Sequence, residues 1–313
     1  MAKLETIRQW LEPEDPVLAN FTETTTHFAQ EREESTCLWL MPYLNRFLKG
    51  EQHTMAITGQ PGSGKSILAT VINDHLQYPI GGVNYKSIFV PINSRVPANT
   101  TPRAVAKSIL SQLFAGRIGN VDLYQILSGA CSQSQKTIDN EAYDNTLWTA
   151  LGNALQASLK GIKELVLVVD GVDEASCGQT ALLTRLRDAV SNASNLKLIV
   201  LASEKESAAT ASKAQTTVHI TPELIFDDVA AVVRRVFQDF PAFDQMSEDQ
   251  RELNVTRITE AANGSFLWGK LATKKIRDEN HPNAERLAQA IDHLVKANLS
   301  VSDLVSHRLG SWA

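Results

Sequence analysis

The sequence predicts an α/β fold: a mostly parallel sheet covered by helices on both faces, followed by a small helical subdomain. Three observations carry that reading. Short apolar runs at Thr54–Thr58, Ser87–Ile92, Leu165–Val169, Leu196–Ala202 and Thr217–Ile220 are separated by helical patterns, as in strands joined by crossover helices. The runs at 165–169 and 196–202 are apolar without alternation, so both their faces should be buried, as in a parallel sheet. After Pro222 no further strand pattern occurs, and apolar residues recur at helical spacing.

The 313 residues suffice for one large domain and a smaller helical piece. Hydrophobic residues at 43% and charged residues at 21% are ordinary for a globular chain, which sets aside disordered and fibrous classes. A net charge of −5 without a Lys/Arg block argues against nucleic acid and anionic membrane as partners, and neither is expected. Cys37, Cys131 and Cys177 form no C-x-x-C pair, so reduced thiols in a cytoplasmic protein are expected. Met1–Trp10 is charged and amphipathic rather than secretory, and no apolar run reaches the ~18 residues of a membrane helix.

Three regions follow one another. Residues 1–50 are a polar lead-in, interrupted by Pro13 and Pro16, and then a helix whose face is Leu38, Leu40, Tyr43, Leu44, Phe47 and Leu48, with Gly50 at its end. Residues 51–221 hold the strands. Pro91 cannot donate to a ladder, which assigns strand 87–92 to a sheet edge. Helices are predicted over Ser66–His75, Pro102–Phe114, Glu141–Lys160 and Thr180–Ser191, whereas 117–140, rich in Ser, Gly and Gln, reads as a loop or short helices. Residues 222–313 are helical: Val229, Val232, Val233, Val236 and Phe237 share a face behind Asp227 and Asp228, Ser247 and Gln250 form a capping box, and helices follow at Phe266–Ile276 and Ala284–Ala297. Phe266 and Trp268 are expected to be packing residues.

Gly59-Gln60-Pro61-Gly62-Ser63-Gly64-Lys65-Ser66 satisfies G-x-x-x-x-G-K-[ST] in full, after a strand and opening a helix. The glycines let successive N–H groups turn inward on a phosphate, the helix N-terminus adds its positive end, Lys65 brings a point charge to the β- and γ-phosphates, and Ser66 offers a hydroxyl to magnesium. This predicts a P-loop NTPase. Its second half should be an acid at the C-terminal end of a buried strand, where open α/β sheets bind ligands, and Asp170 is in that place to hold magnesium. Gly171 occupies the position directly after it; Asp173 and Glu174 follow, and either one orients the attacking water or both cap the next helix. Ser203 ends the strand expected beside the loop strand, within reach of a γ-phosphate.

The spacing D-G-V-D-E at 170–174 behind a full P-loop resembles the NACHT family of STAND-type signalling NTPases, and most of all the fungal NLR-like proteins. Trp10-Leu11, Pro13, Asp15-Pro16, Arg32 and Ser35-Thr36-Cys37 with Trp39-Leu40 are similar to the lead-in of those proteins. Ser108–Leu113 resembles their helix after the edge strand, and Asn263-Gly264-Ser265-Phe266-Leu267-Trp268 their G-x-F-L-W helix. The resemblance implies an ASCE-type core, ATP or ADP as nucleotide with Mg2+, Arg32 and the backbone of Ser35 and Thr36 near the base, self-association in the ATP state, and further domains in a larger protein. Where relatives carry an arginine after the strand-end serine, this chain has Glu204 and then Lys205. The expected function is a nucleotide-controlled switch with slow hydrolysis; the alternative is a housekeeping ATPase, a loader or motor with steady turnover.

Overall fold

The structure, a computed structural model, describes residues 2–12, 32, 33, 35–116, 119–158, 164–191, 195–203, 215–238, 240–279, 281–297 and 299–310. Five strands, β1 (Thr54–Gly59), β2 (Tyr85–Pro91), β3 (Glu164–Asp170), β4 (Leu196–Ser203) and β5 (Thr216–Ile220), form one sheet in the order β2-β3-β4-β1-β5. β2 runs parallel to β3 and β3 parallel to β4, with Pro91 opposite Asp170 and Asp170 opposite Leu201. The proline-bearing strand lies at the edge, as its missing donor requires. Residues of β3 and β4 are buried on both faces, the consequence of their unbroken apolar runs.

Contacts divide the chain into two compact units. The first holds the N-terminal helix, Tyr43–Thr58 and Lys65–Val218. Its helices are α1 (Ala2–Leu11), α2 (Met41–Lys49), α3 (Lys65–His75), α4 (Pro102–Gly116), α5 (Val121–Ser134), α6 (Asn140–Ser158) and α7 (Gln179–Val190). Its core joins alternate residues of the strands, such as Ile88, Leu167 and Val200, to Ile7 and Leu11 of α1 and to Ile109, Leu127, Leu151 and Leu186. Within 117–140, where a loop or short helices are expected, stands a full helix, α5. Asn120 caps it by accepting from the Leu123 N–H at 3.0 Å, and Leu123, Leu127, Ala130, Cys131 and Ser134 bury one face. Asp122, Gln125, Ser132 and Gln133 are exposed and mask the stripe in a compositional reading. The predicted end of α6 at Lys160 lies outside the described residues, as do Pro13, Asp15, Pro16, Glu204 and Lys205.

The second unit holds Arg32–Pro42, Gly59–Gly64 and His219–Ala313. Its helices are α8 (Phe226–Phe237), α9 (Glu248–Ala262), α10 (Phe266–Asp278), α11 (Ala284–Ala297) and α12 (Val301–Gly310), with a single turn at Pro241–Asp244. The predicted capping box is formed: Ser247 Oγ accepts from the Gln250 N–H and the Gln250 side chain accepts from the Ser247 N–H. Trp268 is buried and its ring N–H donates to the Leu299 carbonyl at 2.6 Å, while Phe266 is half-buried. Among the described residues no helix is long and apolar enough to cross a membrane.

Candidate functional site

The glycine loop leaves β1 through a tight turn in which the Ser63 N–H donates to the Gln60 carbonyl at 3.2 Å. Gly62 and Gly64 have φ of 82° and 83°, the left-handed region that only glycine enters without strain. A side chain at Gly62 would meet Ser265 Oγ at 2.7 Å, and one at Gly64 would press on the Phe266 ring at 3.2 Å. Both glycines are therefore required twice, for conformation and for the close passage of the turn before α10. That turn holds two left-handed residues, Asn263 and Gly264, and the Asn263 carbonyl accepts from the Gln60 side-chain amide. Ser63 is buried, and its hydroxyl has no hydrogen-bond partner among the described residues. A polar atom left so, inside a loop of glycines with positive φ, suits an anionic ligand that accepts from it.

Lys65 and Ser66 open α3, and Asp170 ends β3. Asp170 is 4% exposed, and its carboxyl is pushed up to about 6. Burial is the main cause; a hydrogen bond with Ser66 and the positive charge of Lys65 pull the other way, and the charges of Glu174 and Asp173 raise it again. The fold thus gathers Lys65, Ser66, Asp170, Asp173 and Glu174, which the sequence places in two distant segments. Among the described residues no three or more His, Cys, Asp or Glu side chains gather as a dedicated metal cage. One buried carboxylate beside one hydroxyl matches magnesium instead, which keeps waters and is completed by substrate phosphates. Gly171, the residue after the acid, has φ 74°, and a Cβ there would stand 2.4 Å from the Ile92 carbonyl oxygen. No side chain fits, so the commonest place for a water-activating glutamate is closed here by sterics.

The remaining predicted residues fall as follows. Glu174 accepts from the Ser94 N–H at 2.6 Å, whereas Asp173 is half-buried and makes no hydrogen bond among the described residues. Ser203 ends β4, which lies between β3 and β1. In the second unit, Arg32 Nη2 donates to the Thr36 carbonyl at 3.4 Å, and its Nε is buried with no hydrogen-bond partner among the described residues. The sequence does not show the partner of Asp228. In the structure its carboxylate accepts from the Cys37 N–H at 2.8 Å, with Cys37 left-handed at φ 68°. Its acidity at a helix start is visible in the sequence, but its partner is not, because nothing local marks Cys37 as a donor.

The family described as Nephrocystin 3, N-terminal matches residues 35–203, more than half of the chain. No curated protein matches the chain in sequence. Among solved structures, PCH-2 of C. elegans is similar at 16% identity and a TM-score of 0.49, covering 88% of this chain and 72% of that one. Cdc6p from Pyrobaculum aerophilum shares 13% identity over 82% of this chain and 65% of its own, at a TM-score of 0.47. The Aeropyrum pernix ORC1 protein, solved in complex with DNA, shares 16% identity over 82% of this chain and 64% of its own, also at 0.47. This chain therefore spans under two thirds of the length of the latter two. The family match takes in β1, the glycine loop and the end of β3, so the sheet, the loop and the match agree: the chain belongs to the Nephrocystin 3 N-terminal family, a NACHT-type P-loop NTPase.

Proposed function

We propose that the chain is the nucleotide-binding core of a signalling switch that takes ATP or ADP with magnesium and hydrolyses ATP slowly. The observation that supports it best is the buried Asp170 carboxylate, hydrogen-bonded to Ser66 and under the charge of Lys65. A carboxylate held ionised in that environment suits a divalent cation that relieves its desolvation. Backbone N–H groups of the Gly59–Gly64 turn and of Lys65 and Ser66 bind the phosphates, with Gln60 and Pro61 shaping the turn and the Ser63 hydroxyl adding a donor. Lys65 would draw on the β- and γ-phosphates, and Ser66 and Asp170 are the residues that would hold magnesium. When bound, magnesium supplies charge neutralisation for the phosphates. By the family resemblance, Ser203 would serve the γ-phosphate and Arg32 the base. One acid of the pair 173–174 serves the attacking water. Slow turnover follows from Gly171, which removes the acceptor from its usual place and moves the task further along the chain.

Lys65→Ala tests the assignment. The mutant should keep its fold by circular dichroism and lose tight binding of a fluorescent ATP analogue, because it removes the positive charge that draws the β- and γ-phosphates. Ser66→Ala should bind with a flattened magnesium dependence. Equal affinities in Lys65→Ala and the parent sink the reading; a parent that turns over many times per second favours the housekeeping ATPase.

A further inference from the structure

The structure assigns Glu174 to positioning: its carboxylate holds the loop after β2 against the end of β3, and Asp173 alone is left to take the proton of the attacking water. This rests on the NTPase reading above. Four links join the segment 92–100 to the turn 170–176. The Ile92 N–H donates to the Asp170 carbonyl at 2.8 Å. Gly171 passes so close to the Ile92 carbonyl that no Cβ fits between them. The Ser94 N–H donates to Glu174 Oε2 at 2.6 Å, a charge-assisted bond. At the far end, the Ser176 N–H and hydroxyl donate to the Thr100 carbonyl at 2.9 and 3.2 Å. Between the anchors the loop folds on itself, the Arg95 N–H donating to Asn93 Oδ1 at 2.9 Å.

Glu174 is the one side chain of the two acids that takes part. Hydrolysis forms a bond from the water oxygen to the γ-phosphorus, breaks the bond from that phosphorus to the bridging oxygen, and leaves that bond's electron pair on ADP. The water's proton needs an acceptor placed beside the water, and the Glu174 carboxylate is already engaged by the Ser94 N–H at 2.6 Å, which ties it to the loop after β2. Asp173 has no such bond among the described residues.

The two roles separate by chemistry. A glutamine at 174 still accepts from an N–H but cannot take a proton; an alanine does neither. Hydrogen exchange at the Ser94 amide, single-turnover hydrolysis and nucleotide affinity should be measured on the full chain for the parent, E174Q, E174A and D173N. E174Q should keep both the Ser94 protection and the hydrolysis rate. E174A should raise Ser94 exchange by about tenfold, the worth of one charge-assisted bond, and slow hydrolysis. D173N should slow hydrolysis by about 100-fold with Ser94 protection unchanged. An E174Q that loses hydrolysis as D173N does, or a Ser94 amide that exchanges equally fast in the parent and E174A, overturns the assignment. Failure of the NTPase reading shows differently, as a parent that binds no nucleotide, and the Ser94 measurement still decides whether the anchor exists.

Discussion

At the scale of single residues, Asp170 sets the terms. A carboxylate at 4% exposure is ionised against its surroundings, and the Ser66 hydroxyl and the Lys65 charge offset only part of that. Its folded value of about 6 lies above the ordinary 3.8, so the nucleotide-free fold binds this proton more tightly than the unfolded chain does. The stabilising contribution of that proton is therefore fully present below pH 4, is lost as pH rises from about 4 to about 6, and stays lost above. A rise from 3.8 to about 6 corresponds to on the order of 3 kcal/mol. Asp170→Asn should therefore melt a few degrees higher than the parent at pH 7 without nucleotide, with the gap closing toward pH 4, while the magnesium-dependent part of ATP binding disappears. Calorimetry at the two pH values checks this, and an identical melting difference at both pH values counts against it.

At the scale of elements, Lys197 shows how the first unit is fastened. It stands in the apolar strand β4 at 5% exposure, and its ammonium donates to three carbonyls: Phe47 at 3.1 Å, Gly50 at 2.7 Å and Gln52 at 3.0 Å. It also lies 5.0 Å from the centre of the Phe47 ring. These are carbonyls at and just beyond the C-terminal end of α2, that of Phe47 also accepting from the Gly50 N–H at 3.2 Å, so one side chain caps the helix and ties it to the strand. Burial lowers the lysine's pKa, and the Glu164 charge opposes that. Lys197→Met keeps the volume and removes the donors. It should destabilise the chain by roughly 2–5 kcal/mol in urea unfolding, since buried carbonyls lose their partner. A neutral substitution would mean that water replaces the ammonium. From the sequence Lys197 is only a charge inside an apolar run. The stripe of α5 is similarly hidden, because Ser, Gly and Gln residues stand between its few buried positions.

At the scale of the whole molecule, a switch needs a state that γ-phosphate favours over ADP, and the energy available is the difference between the two binding free energies. In the second unit the glycine turn packs on the start of α10, through Gly62 with Ser265 and Gly64 with Phe266. A change in the phosphate loop therefore meets the helical unit directly. If the active form self-associates, native mass spectrometry with magnesium and ATP should show assemblies larger than with ADP, and Lys65→Ala should show neither nucleotide nor assembly. One mass under all conditions would leave the nucleotide site without a switch.

The sequence by itself determined what is local. The loop's glycines, the lysine and serine at the start of α3, and Asp170 at the end of an unbroken apolar strand are contiguous patterns, because phosphate binding needs successive backbone N–H groups and a strand shows its burial in every residue. Gly171 was legible as a departure from the usual spacing, but its reason, the Ile92 carbonyl, was not. Only tertiary structure paired Glu174 with Ser94, Lys197 with the end of α2, and Asp228 with Cys37. Each of those bonds ends on a backbone N–H or carbonyl, and every residue but proline carries both. Such a partner leaves no mark in the side-chain alphabet, and the choice among equivalent backbone groups falls to strand register and helix packing.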